Sequence, residues 1–182
     1  MASLNPPVCN FDWQAPDFDL LGVDGKRYNL KNSAGKNGLL VMFISNHCPY
    51  VQAIRPRLVT DLLVLQQFGI KAIAIASNDV ANYPEDNFEN MQQVAADFKF
   101  NFPYVYDESQ DVAKTYGAVC TPDFFGFNAA LKLQYRGRFD TSNKQTAVDN
   151  KRDLFNAMKL IAETSVGPRE QIASIGCSIK WK

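Results

Sequence analysis

"GLLVMFISNHCPYV", residues 38–51, is the stretch that decides the fold. Its first eight residues form a nearly unbroken apolar run, as expected of a strand buried on both faces. Asn46 and His47 interrupt the run. Pro49 suits the first position of a helix, where a missing N–H costs nothing. Val51, Ile54, Leu58, Leu62 and Leu65 then recur with helical spacing through "PYVQAIRPRLVTDLLVLQQF", residues 49–68. A strand, a short loop and a helix therefore place Cys48 near a helix N-cap.

Similar units lie on either side. "APDFDLLGVDGKRYNL" (15–30) holds Asp24-Gly25 between two short apolar segments, a hairpin signal. "IKAIAIAS" (70–77) predicts a second buried strand. "PEDNFENMQQVAADFKF" (84–100) opens on proline and acids and predicts a helix. "DESQDVAKTYGA" (107–118) predicts a short helix closed by Gly117. "DFFGFN" and "LKLQYRGRF" flank Asn128-Ala129-Ala130 and predict a hairpin, and 147–167 a last helix stopped by Gly167-Pro168. "FPYVYD" reads as core or substrate-groove material. Strands alternating with helices imply an α/β sandwich, and the closing hairpin makes its sheet mixed.

The length, 182 residues, suits one domain, 1–182, with 168–182 as a C-terminal tail. Lys+Arg and Asp+Glu both number 19, so neither a nucleic-acid surface nor a polybasic membrane anchor is expected. The N-terminal stretch lacks the pattern of a signal peptide, and no apolar run is long enough to span a membrane. The expected location is cytoplasmic. Cys9, Cys48, Cys120 and Cys177 are at least 39 residues apart, which excludes a CxxC or a zinc knuckle. In a reducing compartment such cysteines are either inert core residues or reactive ones.

Cys48 fits the reactive class. The N–H groups of Tyr50 and Val51 are expected to point back at its sulfur, and the helix dipole favours a thiolate there. Such placement lowers a thiol pKa from roughly 8.5 toward roughly 7. The thiolate share at neutral pH then rises from about 3% to about half. A protonated His47 would add to this. His47 and Cys48 alone are too few for a closed metal site, so no metal and no cofactor are expected.

"PDFDLLGVDGKRYNL", "GLLVMFISNHCPYV", "CTPDFFGFN" and "YRGRF" resemble the thioredoxin-like superfamily, and within it the AhpC/TSA (peroxiredoxin-like) branch. "NHCPYV", "CTPDF" and "SIGCSIKW" together resemble one group of that branch, and the likeness runs over roughly 14–181. The resemblance implies a thioredoxin-like α/β/α sandwich with a central mixed β-sheet and an N-terminal β-hairpin. It puts Cys48 at the position of the nucleophilic cysteine and Val51 at that of the second cysteine of a CxxC. Pro56 matches the proline that kinks the active-site helix. Pro122, after Thr121, matches a cis-proline whose neighbouring backbone faces substrate. Pro49, Tyr50, Val51, Thr121 and Pro122 are thus the implied substrate-binding residues.

The pattern also departs from the branch. Met42 stands where thioredoxins carry a buried acid, and Val41 where peroxiredoxins carry a proline, although Ser45 keeps its place three residues before Cys48. Arg55, Arg57, Arg136 and Arg138 are candidates for a peroxide-polarising arginine. The implied function is a thiol–disulfide oxidoreductase using Cys48, His47 and a resolving thiol, Cys120 or Cys177. Cys120 is expected to come first, because the proline loop walls the site. Disulfides or hydroperoxides are the implied substrates, with thioredoxin or glutathione as possible external thiol donors in antioxidant redox homeostasis. A peroxiredoxin-type peroxidase is the alternative, and a non-catalytic binding module a second.

Overall fold

The structure is a computed structural model that describes residues 3–7, 9–142 and 150–182. In chain order the elements are β1 (Ser3–Leu4), β2 (Asp19–Gly22), β3 (Arg27–Asn29), α1 (Leu30–Ser33), β4 (Gly38–Phe43) and α2 (Pro49–Gln67). Then come β5 (Ile70–Ala76), a 3-10 turn (Pro84–Asp86), α3 (Phe88–Asp97), β6 (Tyr104–Tyr106), α4 (Asp111–Tyr116) and β7 (Cys120–Thr121). The chain ends with β8 (Asp123–Asn128), β9 (Leu133–Tyr135), α5 (Asp153–Thr164) and β10 (Gly176–Ser178).

The main sheet runs β3-β2-β6-β5-β4-β8-β9. β4 lies inside it, parallel to β5 and antiparallel to β8, and all six of its residues are buried. The period of two sorts them: Leu40 and Met42 join one apolar cluster, Leu39, Val41 and Phe43 the other. Helices α2 and α5 cover the first face through Ile54, Leu58, Leu62, Leu65, Leu154, Met158 and Ile161. On the opposite face, α1 and α4 contribute Leu30, Ala113 and Tyr116. The result is the expected α/β/α sandwich with a mixed sheet, and β2 and β3 form the expected N-terminal hairpin.

Helix α2 carries a cost. Pro56 lies within it, so the Gln52 carbonyl loses its intrahelical donor, an expense of about 3 kcal/mol. Val51, Ile54, Leu58, Leu62 and Leu65 are each at most 4% exposed, and burying them is worth on the order of 10 kcal/mol together. The apolar stripe outweighs the proline and keeps the helix continuous.

Some boundaries differ from expectation. The helix expected over 84–100 begins only at Phe88, because the Asn87 side chain caps it by accepting from the Asn90 N–H at 2.8 Å. The preceding Pro84–Asp86 segment is a separate 3-10 turn. The last helix runs only over Asp153–Thr164 and ends at Ser165 in a left-handed conformation, ahead of Gly167-Pro168. Residues 147–149 of the expected helix lie outside the described residues. "FPYVYD" contributes strand β6, parallel to β5. The tail does not hang free: β10 pairs antiparallel with both β1 and β7 in a second, small sheet.

Candidate active site

β4 delivers the chain to one end of the sheet at Phe43, and the loop Ile44–His47 turns it into α2. Cys48 is the N-cap residue, in extended conformation, with Pro49 at the first helical position. Its carbonyl accepts the first helical bond from the Gln52 N–H at 2.9 Å. The sulfur departs from expectation. It makes no capping bond to the N–H groups of α2; the thiol donates instead to the Thr121 carbonyl at 3.0 Å. Cys48 is fully buried.

Thr121 ends β7, and the Thr121–Pro122 peptide bond is cis, as the resemblance implied. The Thr121 hydroxyl lies 3.4 Å from that of Ser45. Thr121, Pro122 and Cys48 thus meet at one end of the sheet. Tyr50 and Pro122 line a small cleft with Ile54, Phe139, Ser174 and Ile175, and the Tyr50 hydroxyl shares a 2.9 Å hydrogen bond with Ser3. A roomier hollow at the start of β5, lined by Tyr28, Asn32, Gln66, Lys71, Phe102 and Pro103, opens at the opposite end of the strands. No cysteine lines it.

The loop before Cys48 is pinned from the 3-10 turn. Asp86 is 1% exposed and accepts from the Asn46 N–H (2.7 Å), the His47 N–H (3.3 Å) and the Asn78 amide (2.6 Å), and its second oxygen lies 2.8 Å from His47 Nδ1. Asn46 is further held: its amide donates to the Glu85 carbonyl, and its side-chain oxygen accepts from the Tyr104 hydroxyl. The His47 ring stacks on Tyr83 at 5.5 Å between centroids. His47 therefore faces Asp86 with one ring nitrogen, and its Nε2 is buried without a hydrogen-bond partner among the described residues. Asp86 and Tyr83 were not singled out in the sequence.

Of the four candidate arginines, three have carboxylate partners: Arg57 with Asp140, Arg136 with Asp123 and Arg138 with Asp153. Arg55 differs. It is 5% exposed, donates to the Asn46 carbonyl at 3.0 Å and lies over the Phe98 ring at 4.4 Å. Burial pulls its pKa below the ordinary value, and Tyr104, Asp86 and Cys48 oppose that shift. Arg55 thus lies within electrostatic reach of Cys48.

The remaining cysteines sort by strand register. Cys120 is fully buried, and its thiol donates weakly to the Pro122 carbonyl at 3.6 Å. Burial pushes its pKa far up, and neighbouring Asp123 adds to the rise. Cys177 is paired in register with Thr121, whereas Ser178 stands opposite Cys120. Cys177 also belongs to the same apolar cluster as Cys48, Tyr50 and Val51. Cys9 is half-buried, and burial pushes it up to about 11. Among the described residues, no three His, Cys, Asp or Glu side chains converge to hold a metal, and no helix is long and apolar enough to cross a membrane.

Solved structures share this architecture. An uncharacterized conserved protein from Geobacillus kaustophilus is 40% identical, with 100% of this chain and 97% of that one covered and a TM-score of 0.95. A hypothetical protein from Sinorhizobium meliloti 1021 is 35% identical over 98% of both chains, with a TM-score of 0.93. The thioredoxin domain of a thiol-disulfide oxidoreductase from Bacteroides vulgatus shares the fold at 17% identity, with 84% and 97% covered and a TM-score of 0.65. No curated protein matches the chain. The AhpC/TSA family model matches residues 12–139, most of the described sheet and the whole Cys48 loop; the chain belongs to the AhpC/TSA family.

Proposed function

We propose that the protein is a thiol–disulfide oxidoreductase with Cys48 as its nucleophile. The observation that carries the reading is the position of Cys48: the N-cap residue of a long helix, its sulfur 3.0 Å from the Thr121 carbonyl beside Pro122. A thiol there changes partner on deprotonation. It leaves an acceptor carbonyl and gains the positive end of α2 and the charge of Arg55. His47, held by Asp86, is the neighbouring group suited to receive the proton.

The thiolate attacks one sulfur of a disulfide, forming a mixed disulfide and expelling the other sulfur as a thiolate. A second thiol, internal or external, then attacks Cys48 Sγ or its partner and completes the exchange. Thioredoxin or glutathione would serve as the external donor, in a role in cellular redox homeostasis. Pro49, Tyr50, Val51, Thr121 and Pro122 would contact the substrate.

One observation favours a second reading. Buried Arg55, in no ion pair among the described residues and within electrostatic reach of Cys48, suits the polarisation of a peroxide. In that case Cys48 takes one oxygen as a sulfenic acid and releases an alcohol or water. The test is mass spectrometry of cysteine states after one equivalent of oxidised glutathione or of a hydroperoxide, with Cys48→Ser as control. A Cys48 mixed disulfide, or its internal successor, supports the first reading. A dimedone-trapped Cys48 sulfenate formed faster than any disulfide supports the second. An unmodified Cys48 under both oxidants overturns both.

A further inference from the structure

Three observations meet on one carbonyl. The Thr121 oxygen accepts the Cys48 thiol at 3.0 Å. Thr121 is also the residue with which Cys177 pairs in the β7–β10 ladder. And a Cβ built on Gly176 would stand 2.2 Å from that same oxygen and 2.6 Å from the Thr121 carbonyl carbon. Backbone atoms cannot yield to such a contact, so only glycine lets β10 lie this close. The Gly176-Cys177 step is therefore seated directly against the carbonyl that holds Cys48.

An extended polypeptide that delivers a sulfur to Cys48 would add as a strand to β7, reading its backbone through ladder hydrogen bonds. In this chain β10 already occupies that edge. Its other side is closed by β1, with Ser3 opposite Cys177. The tail is secured beyond the strand as well. Ile179 is buried in the opposite cluster, the Asp79 N–H donates to the Lys180 carbonyl at 2.8 Å, and the Lys180 N–H donates to Asn78 at 2.9 Å. Gln110 grips both the Lys180 carbonyl and the Lys182 N–H, and the Ser174 hydroxyl donates to the Pro122 carbonyl.

Resting on the assignment of Cys48 as nucleophile, we propose that β10 is a substrate-like strand carried by the chain itself. Cys177 is the thiol that resolves Cys48, and the strand keeps polypeptide disulfides out, leaving small disulfides as the oxidants. The exchange balances in two steps. Cys48 thiolate attacks a small disulfide RSSR, giving Cys48–S–SR and RS⁻. Cys177 thiolate, its proton having passed to solvent or to RS⁻, attacks Cys48 Sγ, forming the 48–177 disulfide and expelling a second RS⁻. Strand alternation turns the Cys120 side chain to the other side of β7 from Thr121, and burial pushes its pKa up, with the nearby Cys48 and Cys177 adding to the rise. On this proposal Cys177 resolves before Cys120, the reverse of the order expected from the sequence.

The reduced full-length protein is treated with one equivalent of oxidised glutathione, quenched in acid and digested without reduction. A 48–177 peptide pair is expected, in wild type and in Cys120→Ser alike. Cys177→Ser should stop at a persistent Cys48–glutathione adduct. A 48–120 pair, or an adduct that persists in wild type, overturns the assignment of Cys177. An unmodified Cys48 in every variant instead sinks the underlying assignment of the nucleophile. Strand exclusion is read from rates: oxidised glutathione should oxidise Cys48 at least about tenfold faster than a ten-residue cystine peptide of similar leaving-group thiol. Gly176→Ala should narrow that gap by pushing β10 off Thr121. Equal rates in wild type overturn the exclusion whether or not the variant folds.

Discussion

Replacing Asp86 tests whether the Cys48 loop is held from the 3-10 turn. Its carboxyl group serves the Asn46 N–H, the His47 N–H, His47 Nδ1 and the Asn78 amide. In Asp86→Ala, His47 Nδ1 regains some water, since that side chain is 14% exposed. The Asn46 N–H and the Asn78 amide do not, because both residues are buried. Two buried donors left without acceptors cost about 1–3 kcal/mol each, so a total loss of about 2–6 kcal/mol is expected. Asp86→Asn keeps one oxygen for the two backbone N–H groups but sets an amide NH₂ against that of Asn78. About 1–2 kcal/mol is expected for it. Urea denaturation at neutral pH, followed by tryptophan fluorescence, gives both numbers. The rate at which Cys48 forms a mixed disulfide should fall in both variants, because the loop that aims the sulfur is released. An Asp86→Ala protein destabilised by less than about 0.5 kcal/mol would refute the account, since a carboxyl group with four real partners cannot be removed so cheaply.

Further expectations follow from other residues. Val51→Cys places a second thiol one helical turn after Cys48, facing it as i and i+3 positions do, and should create a 48–51 disulfide and raise insulin reduction; failure of that disulfide to form would contradict the geometry of this first turn. Arg136→Met strands Asp123, which is fully buried beside Pro122 and 2.8 Å from the guanidinium, so a loss of about 3–5 kcal/mol is expected in thermal or urea unfolding. Cys9 should alkylate slowly: with its pKa pushed from 9.0 to about 11, its thiolate share at pH 8 drops from about 9% to about 0.1%. Its iodoacetamide rate should therefore climb about tenfold per pH unit up to about pH 10, and a plateau near pH 9 would show that burial does not govern it.

The sequence was most legible where a single segment carries its own signal. β4 and β5 are buried on both faces, so their apolar runs needed no partner to be recognised. α2 shows its 3.6-residue period, and Gly117 closes α4 because its φ of +62° suits glycine. Cys48 was legible for the same reason: strand, loop and Pro49 fix its place at a helix start whatever lies around it. Its hydrogen bond was not legible. The thiol's partner is a carbonyl 73 residues away, and no local pattern reports that.

The residues that were missed depend on register rather than on period. Asp86 reads as one more acid in a helix start after Pro84; it becomes a clamp only because Asn87 caps the helix instead and leaves the turn free to face Asn46 and His47. Strands β6 and β10 are three residues long, too short for alternation to declare itself. Cys120 and Cys177 lie on strands as short as these. Both are buried, both flank the proline loop, and proximity in the chain to Pro122 favoured Cys120. What separates them is a one-residue step on a strand, which moves a side chain to the other face. That step is fixed by the close approach of Gly176 to Thr121, a steric fact with no periodic trace. The glycine in "SIGCSIKW" is thus the residue through which the tail's register against Thr121 is written into the chain.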